Sequence, residues 1–318
     1  MRVAVLGATG LVGSLMLRVL YERFGKSIEV FPLSSTGGRR VLYGDEEMET
    51  LPVEGNIRNF DFVLSAVEAD VSRKYTPLFV EKGAIVIDNS SAYRMEEDVP
   101  LVVPEVNPED VRWHRGIIAN PNCSTIQMVV ALKPLEDNFG IDRVFVSTYQ
   151  SVSGAGREGL RAYEEEIRSG EYEKSPFPHK IVGNVIPAIG SLREGFYTEE
   201  WKLINESRKI LHRSDLIISA TAVRVPVRIS HSEAVEVDLR REATLEEVVS
   251  ALKNGKGIIY RDEFFTPMDA EGRDEVFVSR VRQHPFLKNT FDMWVVADNL
   301  RKGAATNAVQ ILQLIVGN

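Results

Sequence analysis

Arg2-Val3-Ala4-Val5-Leu6-Gly7-Ala8-Thr9-Gly10-Leu11-Val12-Gly13 stands at the head of the chain, and its reading decides the fold. Residues 2–6 are nearly all apolar, the mark of a strand covered on both faces of a parallel sheet. Glycines then recur at 7, 10 and 13, and Leu11, Leu15, Val19 and Leu20 share one face of a helix reaching Phe24. Strand, glycine turn and helix start together let a backbone approach a pyrophosphate and aim N–H groups at it. Gly7, Thr9, Gly10, Leu11, Val12 and Gly13 are therefore candidate dinucleotide-binding residues.

Outward from this motif, apolar runs at 28–33, 61–66, 84–88 and 116–119 read as strands, with a helical stretch near 69–82. Such alternation predicts a doubly wound α/β sheet. Beyond Asn122 the texture changes: 142–151, 216–229, 233–239 and 293–298 are β-rich with few helices between. They predict an α+β domain on a mixed sheet. Thr244-Leu245-Glu246-Glu247 is a capping box opening one helix there. The apolar segment 303–316 predicts a helix that returns to the first domain. The expected division is a dinucleotide-binding domain over 1–121, completed by 299–318, and a catalytic and dimerisation domain over 122–298.

The composition sets bounds. Of 318 residues 44% are hydrophobic and 26% charged, as in ordinary globular proteins. A net charge of −8 argues against a broad nucleic-acid surface. No apolar run reaches the length of a membrane span, and no secretory leader pattern opens the chain. A single cysteine leaves no intramolecular disulfide and suits a reducing cytoplasm. No metal site is expected.

That cysteine, Cys123, lies in Asn120-Pro121-Asn122-Cys123-Ser124-Thr125, between a strand ending in a Pro-Asn turn and the helical run from Ile126. A free cysteine is often only a small buried hydrophobe. At the first turn of a helix, however, unpaired N–H groups and the dipole favour a thiolate. Among five histidines, His231 stands out for the small and hydroxylic residues around it, with Arg224 on the same segment able to fork onto a carboxylate. At the end of the second strand an NAD site usually places a carboxylate about 20 residues past the glycines. Here Leu33-Ser34-Ser35-Thr36-Gly37-Gly38-Arg39-Arg40 offers hydroxyls and guanidinium groups instead, which favours the 2′-phosphate of NADP.

From end to end the chain resembles the aspartate-β-semialdehyde dehydrogenase family. Gly7 to Gly13, Asp88-Asn89-Ser90-Ser91-Ala92-Tyr93-Arg94, Pro104-Glu105-Val106-Asn107 and Asn120 to Thr125 carry the resemblance in the first half. Tyr149 to Gly156, Glu199-Glu200-Trp201-Lys202, Arg224 to His231 and Asp298 to Ala305 carry it in the second. It implies Cys123 as nucleophile, His231 as acid/base and Gln150 orienting the acyl group. Arg94 and Lys202 would hold phosphate, with Asn89 and Ser91 nearby. Glu199 would meet the substrate ammonium and Arg224 its α-carboxylate. Gly154, Asn299 and Gly303 would lie by the nicotinamide. Ser34, Ser35, Thr36, Arg39 and Arg40 would meet NADP, although bacterial members often carry a Ser-x-x-Ser-x-Gly-Lys type of loop that is only partly kept here. The implied activity is NADPH-dependent reduction of β-aspartyl phosphate, feeding lysine, threonine, methionine and diaminopimelate synthesis, in a homodimer or homotetramer. An N-acetylglutamyl-phosphate or glyceraldehyde-phosphate dehydrogenase would share the turn, cysteine and histidine, but should lack the Glu199–Arg224 pair suited to an unblocked amino acid. A nucleotide-sensing scaffold would need only the glycines.

Overall fold

The computed structural model describes residues 1–317. They form two units: residues 1–122 with the segment from Ala304 onward, and Cys123–Gly303. In the first unit β1 (Arg2–Leu6) has the buried Val3, Ala4 and Val5 that its sequence demands. With β2 (Glu29–Ser34), β5 (Leu51–Pro52), β6 (Phe62–Ser65), β7 (Ile85–Asp88) and β8 (Ile117–Ala119) it makes an all-parallel sheet of order β5-β2-β1-β6-β7-β8. The hairpin β3 (Arg40–Tyr43) and β4 (Glu46–Glu49) precedes β5.

Helices cover both faces, so every strand side chain finds an apolar layer. On one face α1 (Leu11–Phe24) packs through Met16, Leu17 and Leu20 beside Ala308, Ile311 and Leu312 of the C-terminal helix. On the other, α2 (Ala69–Glu81) contributes Tyr75 and Phe79 to a cluster with Phe60. A methyl on Gly13 would stand 2.1 Å from the Gly7 carbonyl oxygen, so α1 can sit this close to the end of β1 only with glycine there.

The second unit opens with α3 (Cys123–Phe139), buried along most of its length. Its six-stranded sheet has β9 (Ile141–Gln150), β12 (Ile217–Arg224), β13 (His231–Leu239), β14 (Ile258–Tyr260), β15 (Val276–Gln283) and β16 (Thr290–Ala297), in the order β12-β9-β13-β16-β15-β14. β12 runs parallel to β9, while β13 runs antiparallel to both β9 and β16, so the sheet is mixed as its sequence predicts. The remaining elements are α4 (Gly156–Ser169), the two-residue strands β10 (Leu192–Arg193) and β11 (Phe196–Tyr197), α5 (Thr198–Ile210), α6 (Leu245–Lys253) and α7 (Pro267–Ala270). The chain closes with α8 (Thr306–Val316), entered through a π-helical turn at Arg301–Ala305.

Two sequence expectations need correction. The β-rich run 216–229 is not one strand: β12 stops at Arg224 and the chain turns back before His231. Pro226 has no N–H for a ladder, Val227 donates to the Val225 carbonyl at 2.8 Å, and Ser230 takes the left-handed conformation at φ 73°. Helices are also more frequent than the β-rich texture suggests. α4 is mostly polar and buries only Gly159, Ala162 and Glu166, so its apolar stripe is too thin to see. α5 buries Glu199, Glu200 and Glu206 on its inner face, which hides its period from any hydrophobic pattern.

Candidate active site

Three strand ends assemble the site. The register places Arg224 of β12 opposite Gln150 of β9, and Ser232 of β13 opposite Tyr149. Arg224, Gln150 and His231 therefore form a row across one end of the sheet, on its buried face. Ala297 of β16 pairs with His231, so Asp298 and Asn299 leave the sheet beside the same end. Starting the chain reversal directly after Arg224 brings it and His231 to opposite sides of Gln150, although seven residues of extended chain would separate them by more than ~20 Å.

Cys123 is the first residue of α3 and half-buried. A methyl on Gly303 would lie 2.8 Å from Cys123 Cβ, so the segment after Asn299 passes close against the thiol. Gly154 serves the turn after β9 in the same way. A methyl there would stand 2.6 Å from Arg224 Nη1 and 3.2 Å from the His231 ring. Glycine at both positions keeps the space around the reactive groups open.

His231 is fully buried and its ring is held at Nδ1, which accepts the Ser151 backbone N–H at 3.0 Å. An N–H aimed at Nδ1 leaves the neutral ring's proton on Nε2, and among the described residues Nε2 has no hydrogen-bond partner. Asn299 Oδ1 gathers the surroundings: it accepts from the Ser230 N–H at 2.9 Å, the Ser153 hydroxyl at 3.1 Å and the Ser151 hydroxyl at 3.2 Å. Ser151 and Ser153 escape a sequence reading because serines after a strand are common; only their place directly behind Gln150 marks them. Burial, and after it the Arg224 charge, push the His231 imidazole down to about 3, with Glu199 acting the other way.

Arg224 is itself buried and donates through Nη1 to the Ser151 carbonyl at 2.7 Å. Burial pulls its guanidinium below the ordinary value, opposed by the charges of Glu199 and Cys123. Glu199 lies in the first turn of α5 and accepts from Lys202 Nζ at 3.0 Å, one turn on. The second unit thus brings together Cys123, Gln150, Gly154, Glu199, Lys202, Arg224, His231, Asn299 and Gly303.

Arg94 lies in the first unit. Its guanidinium donates to the Asn120 carbonyl at 2.9 Å and the Asn89 carbonyl at 2.8 Å, tying together the segments after β7 and β8. The Asn89 side chain accepts from Asn120 at 2.6 Å, and Ser91 is exposed. The glycine turn also lies there. The N-cap of α1, Gly10, makes no side-chain cap, and a helix start of this kind is suited to an anion. The loop after β2 is more committed. Ser34 is buried against the Thr50 hydroxyl at 2.9 Å, and Arg40 pairs with Glu47 at 3.0 Å; Ser35, Thr36 and Arg39 are exposed.

A nucleotide-type helix turn and a cysteine–histidine–arginine cluster define the class: a two-domain dehydrogenase. Family models narrow it. Residues 2–114 match the semialdehyde dehydrogenase NAD binding domain, and residues 132–302 match the semialdehyde dehydrogenase dimerisation domain. The aspartate-semialdehyde dehydrogenase of Aquifex aeolicus is 47% identical, over 99% of this chain and 98% of that one. The crystal structure of aspartate semialdehyde dehydrogenase II from Vibrio cholerae complexed with ASA superposes with a TM-score of 0.96 at 42% identity, covering 100% of this chain and 98% of that one. The Candida albicans enzyme with NADP matches at a TM-score of 0.74 and 26% identity, over 99% of this chain and 98% of that one. The chain belongs to the aspartate-semialdehyde dehydrogenase family.

The buried, neutral His231 has a consequence for stability. An unfolded histidine takes its proton near pH ~6.5, whereas this one resists it down to about 3. Between those values the unfolded chain binds more protons, so the contribution is whole above ~6.5 and is lost as the pH falls toward 3. His231→Gln should flatten the decline in melting temperature over that window. An unchanged decline would mean the imidazole is not held neutral.

Proposed function

We propose that this enzyme reduces L-β-aspartyl phosphate to L-aspartate 4-semialdehyde with NADPH, reversibly, through a thioester on Cys123. The observation that carries the reading is the row Arg224–Gln150–His231 at one sheet end, in the same unit as a cysteine opening α3. The Cys123 thiolate, favoured by the helix start, attacks the acyl carbon, and the C–O bond to phosphate breaks. The proton taken up overall goes to the departing phosphate. His231 offers Nε2–H to the acyl oxygen, where negative charge develops in each tetrahedral stage. Bound NADPH supplies the hydride that reduces the thioester carbonyl. Collapse of the resulting alkoxide then expels the thiolate and frees the aldehyde.

Arg224 holds the α-carboxylate and Glu199 the ammonium, while Arg94 and Lys202 hold phosphate. A carboxylate on Arg224 offsets the charge that opposes protonation of His231, so binding also tunes the acid/base. The resemblance to enzymes acting on an unblocked amino acid fits the buried Glu199–Arg224 pair better than an N-acetylated substrate would. The reverse assay tests this: aspartate semialdehyde, phosphate and NADP should give NADPH. Cys123→Ala should abolish it with the fold intact, and Arg224→Lys should lower kcat/KM roughly a hundredfold by losing the fork. Turnover only with an N-acetylated analogue would overturn the assignment.

For the cofactor, the exposed Arg39 is the better candidate for the 2′-phosphate, since Arg40 is engaged by Glu47. Arg39→Ala should weaken NADP about tenfold and NAD hardly at all, the loss of one charge-assisted contact. Equal weakening would remove Arg39 from that role.

A homodimer through the second unit completes the reading. The outer face of the mixed sheet exposes Phe145 and Tyr149 in a groove of about 350 Å³ that Trp294, Glu236, Arg280 and Arg282 also line. Exposed aromatic side chains set among arginines and other polar residues are typical of interfaces. Phe145→Asp should shift the mass in light scattering from two chains to one; an unchanged mass would place the interface elsewhere.

A further inference from the structure

Glu233 is buried without solvent exposure, and among the described residues none meets its carboxyl oxygens in hydrogen-bond geometry. It lies two residues after His231 on β13, so both side chains project from the same face of the strand, toward α3. Its polar neighbour is Gln127, also without solvent exposure, which stands one turn after Cys123 on α3. Gln127 Nε2 donates to the His231 carbonyl at 3.4 Å, while its Oε1 has no donor. Below the reactive pair Cys123 and His231, therefore, lies a second pair one helical turn and one pleat further in. As an anion, Glu233 would leave three buried acceptor oxygens unserved, each at the cost of a lost hydrogen bond. One proton on the carboxyl turns it into a donor and serves Gln127 Oε1.

We propose that Glu233 is a positioning residue: as a neutral carboxylic acid it donates to Gln127 Oε1, bracing the helix that carries Cys123 against the strand that carries His231. Burial drives its carboxyl well above the ordinary range and outweighs the nearby Gln127 amide, which favours the charged form, in agreement with a neutral acid. The brace runs from Glu233 O–H through the Gln127 amide to the His231 main chain, so it fixes the separation of nucleophile and acid/base without touching substrate. The inference rests on the proposed roles of Cys123 and His231.

Two substitutions separate a neutral donor from a charge and from simple packing. Glu233→Gln keeps a donor for Gln127 Oε1 and removes the charge; Glu233→Leu keeps bulk and removes the donor. The expected result is that Glu233→Gln stays within about twofold of wild type, while Glu233→Leu loses about tenfold or more in kcat with KM for aspartate semialdehyde unchanged. Iodoacetamide labelling of Cys123 in substrate-free enzyme should fall in the same order. Equal damage by both would mean that the carboxylate charge or its proton transfer is needed, and would overturn the proposal. Wild-type behaviour of both, or of Glu233→Leu alone, would overturn it as well. Should Glu233→Leu fail to fold, Gln127→Met carries the same test: it must lower kcat and labelling, and normal values would sink the brace. The labelling ratios need no turnover, so an error in the assigned substrate shows as inactive wild type and is distinguishable from failure of the brace.

Discussion

The hydrogen bond from the Ser151 N–H to His231 Nδ1, 3.0 Å long, is the constraint on which the arrangement of the second unit turns. It extends the pairing of β9 with β13 one step beyond Tyr149 and Ser232, through a side chain. A main-chain donor cannot rotate away, so the ring is held in one orientation with its proton on Nε2. That is why an imidazole without solvent exposure is tolerable: it is buried neutral, with Nδ1 satisfied and only Nε2 unengaged among the described residues. The rest serves this bond. Arg224 anchors the Ser151 carbonyl, Asn299 anchors the Ser151 and Ser153 hydroxyls and the Ser230 N–H, and Gly154 lets the turn close over both.

The first unit was legible because local signals and global packing agree there. Residues 2–6 are apolar since the sheet is covered twice, and the glycines at 7 and 13 are needed where α1 approaches β1. The helix start at Cys123 could be read for a similar reason, a turn signal followed by an apolar run. α5 was opaque because its inner face carries Glu199 and Glu200, of which Glu200 takes the Ala222 N–H at 3.0 Å and the Tyr197 N–H at 2.7 Å. Buried carboxylates that serve main-chain donors break a hydrophobic period without breaking the helix. The stop at Arg224 was half visible: Pro226 marks the break, but only the pairing of β12 and β13 on either side of β9 shows what the break achieves. Ser151, Asn299 and Glu233 act through partners 80, 69 and 106 residues away in the chain, and no periodicity records such meetings.

The charges of the site are arranged to be incomplete. Arg224 is buried and donates to the Ser151 carbonyl at 2.7 Å, and burial weighs against its charge more than Glu199 and Cys123 support it. Its charge in turn weighs on His231. A buried cation with spare donors is costly in a dry interior, and the cost falls when a carboxylate arrives with the geometry of the guanidinium fork. An anion seated on Arg224 would also offset the charge that, after burial, opposes a proton on the His231 imidazole. Lysine in place of Arg224 would keep that charge but not the fork. The Arg224 guanidinium is held by the carbonyl of Ser151, the same residue whose N–H holds His231, so the orientation of both groups rests on one stretch of main chain.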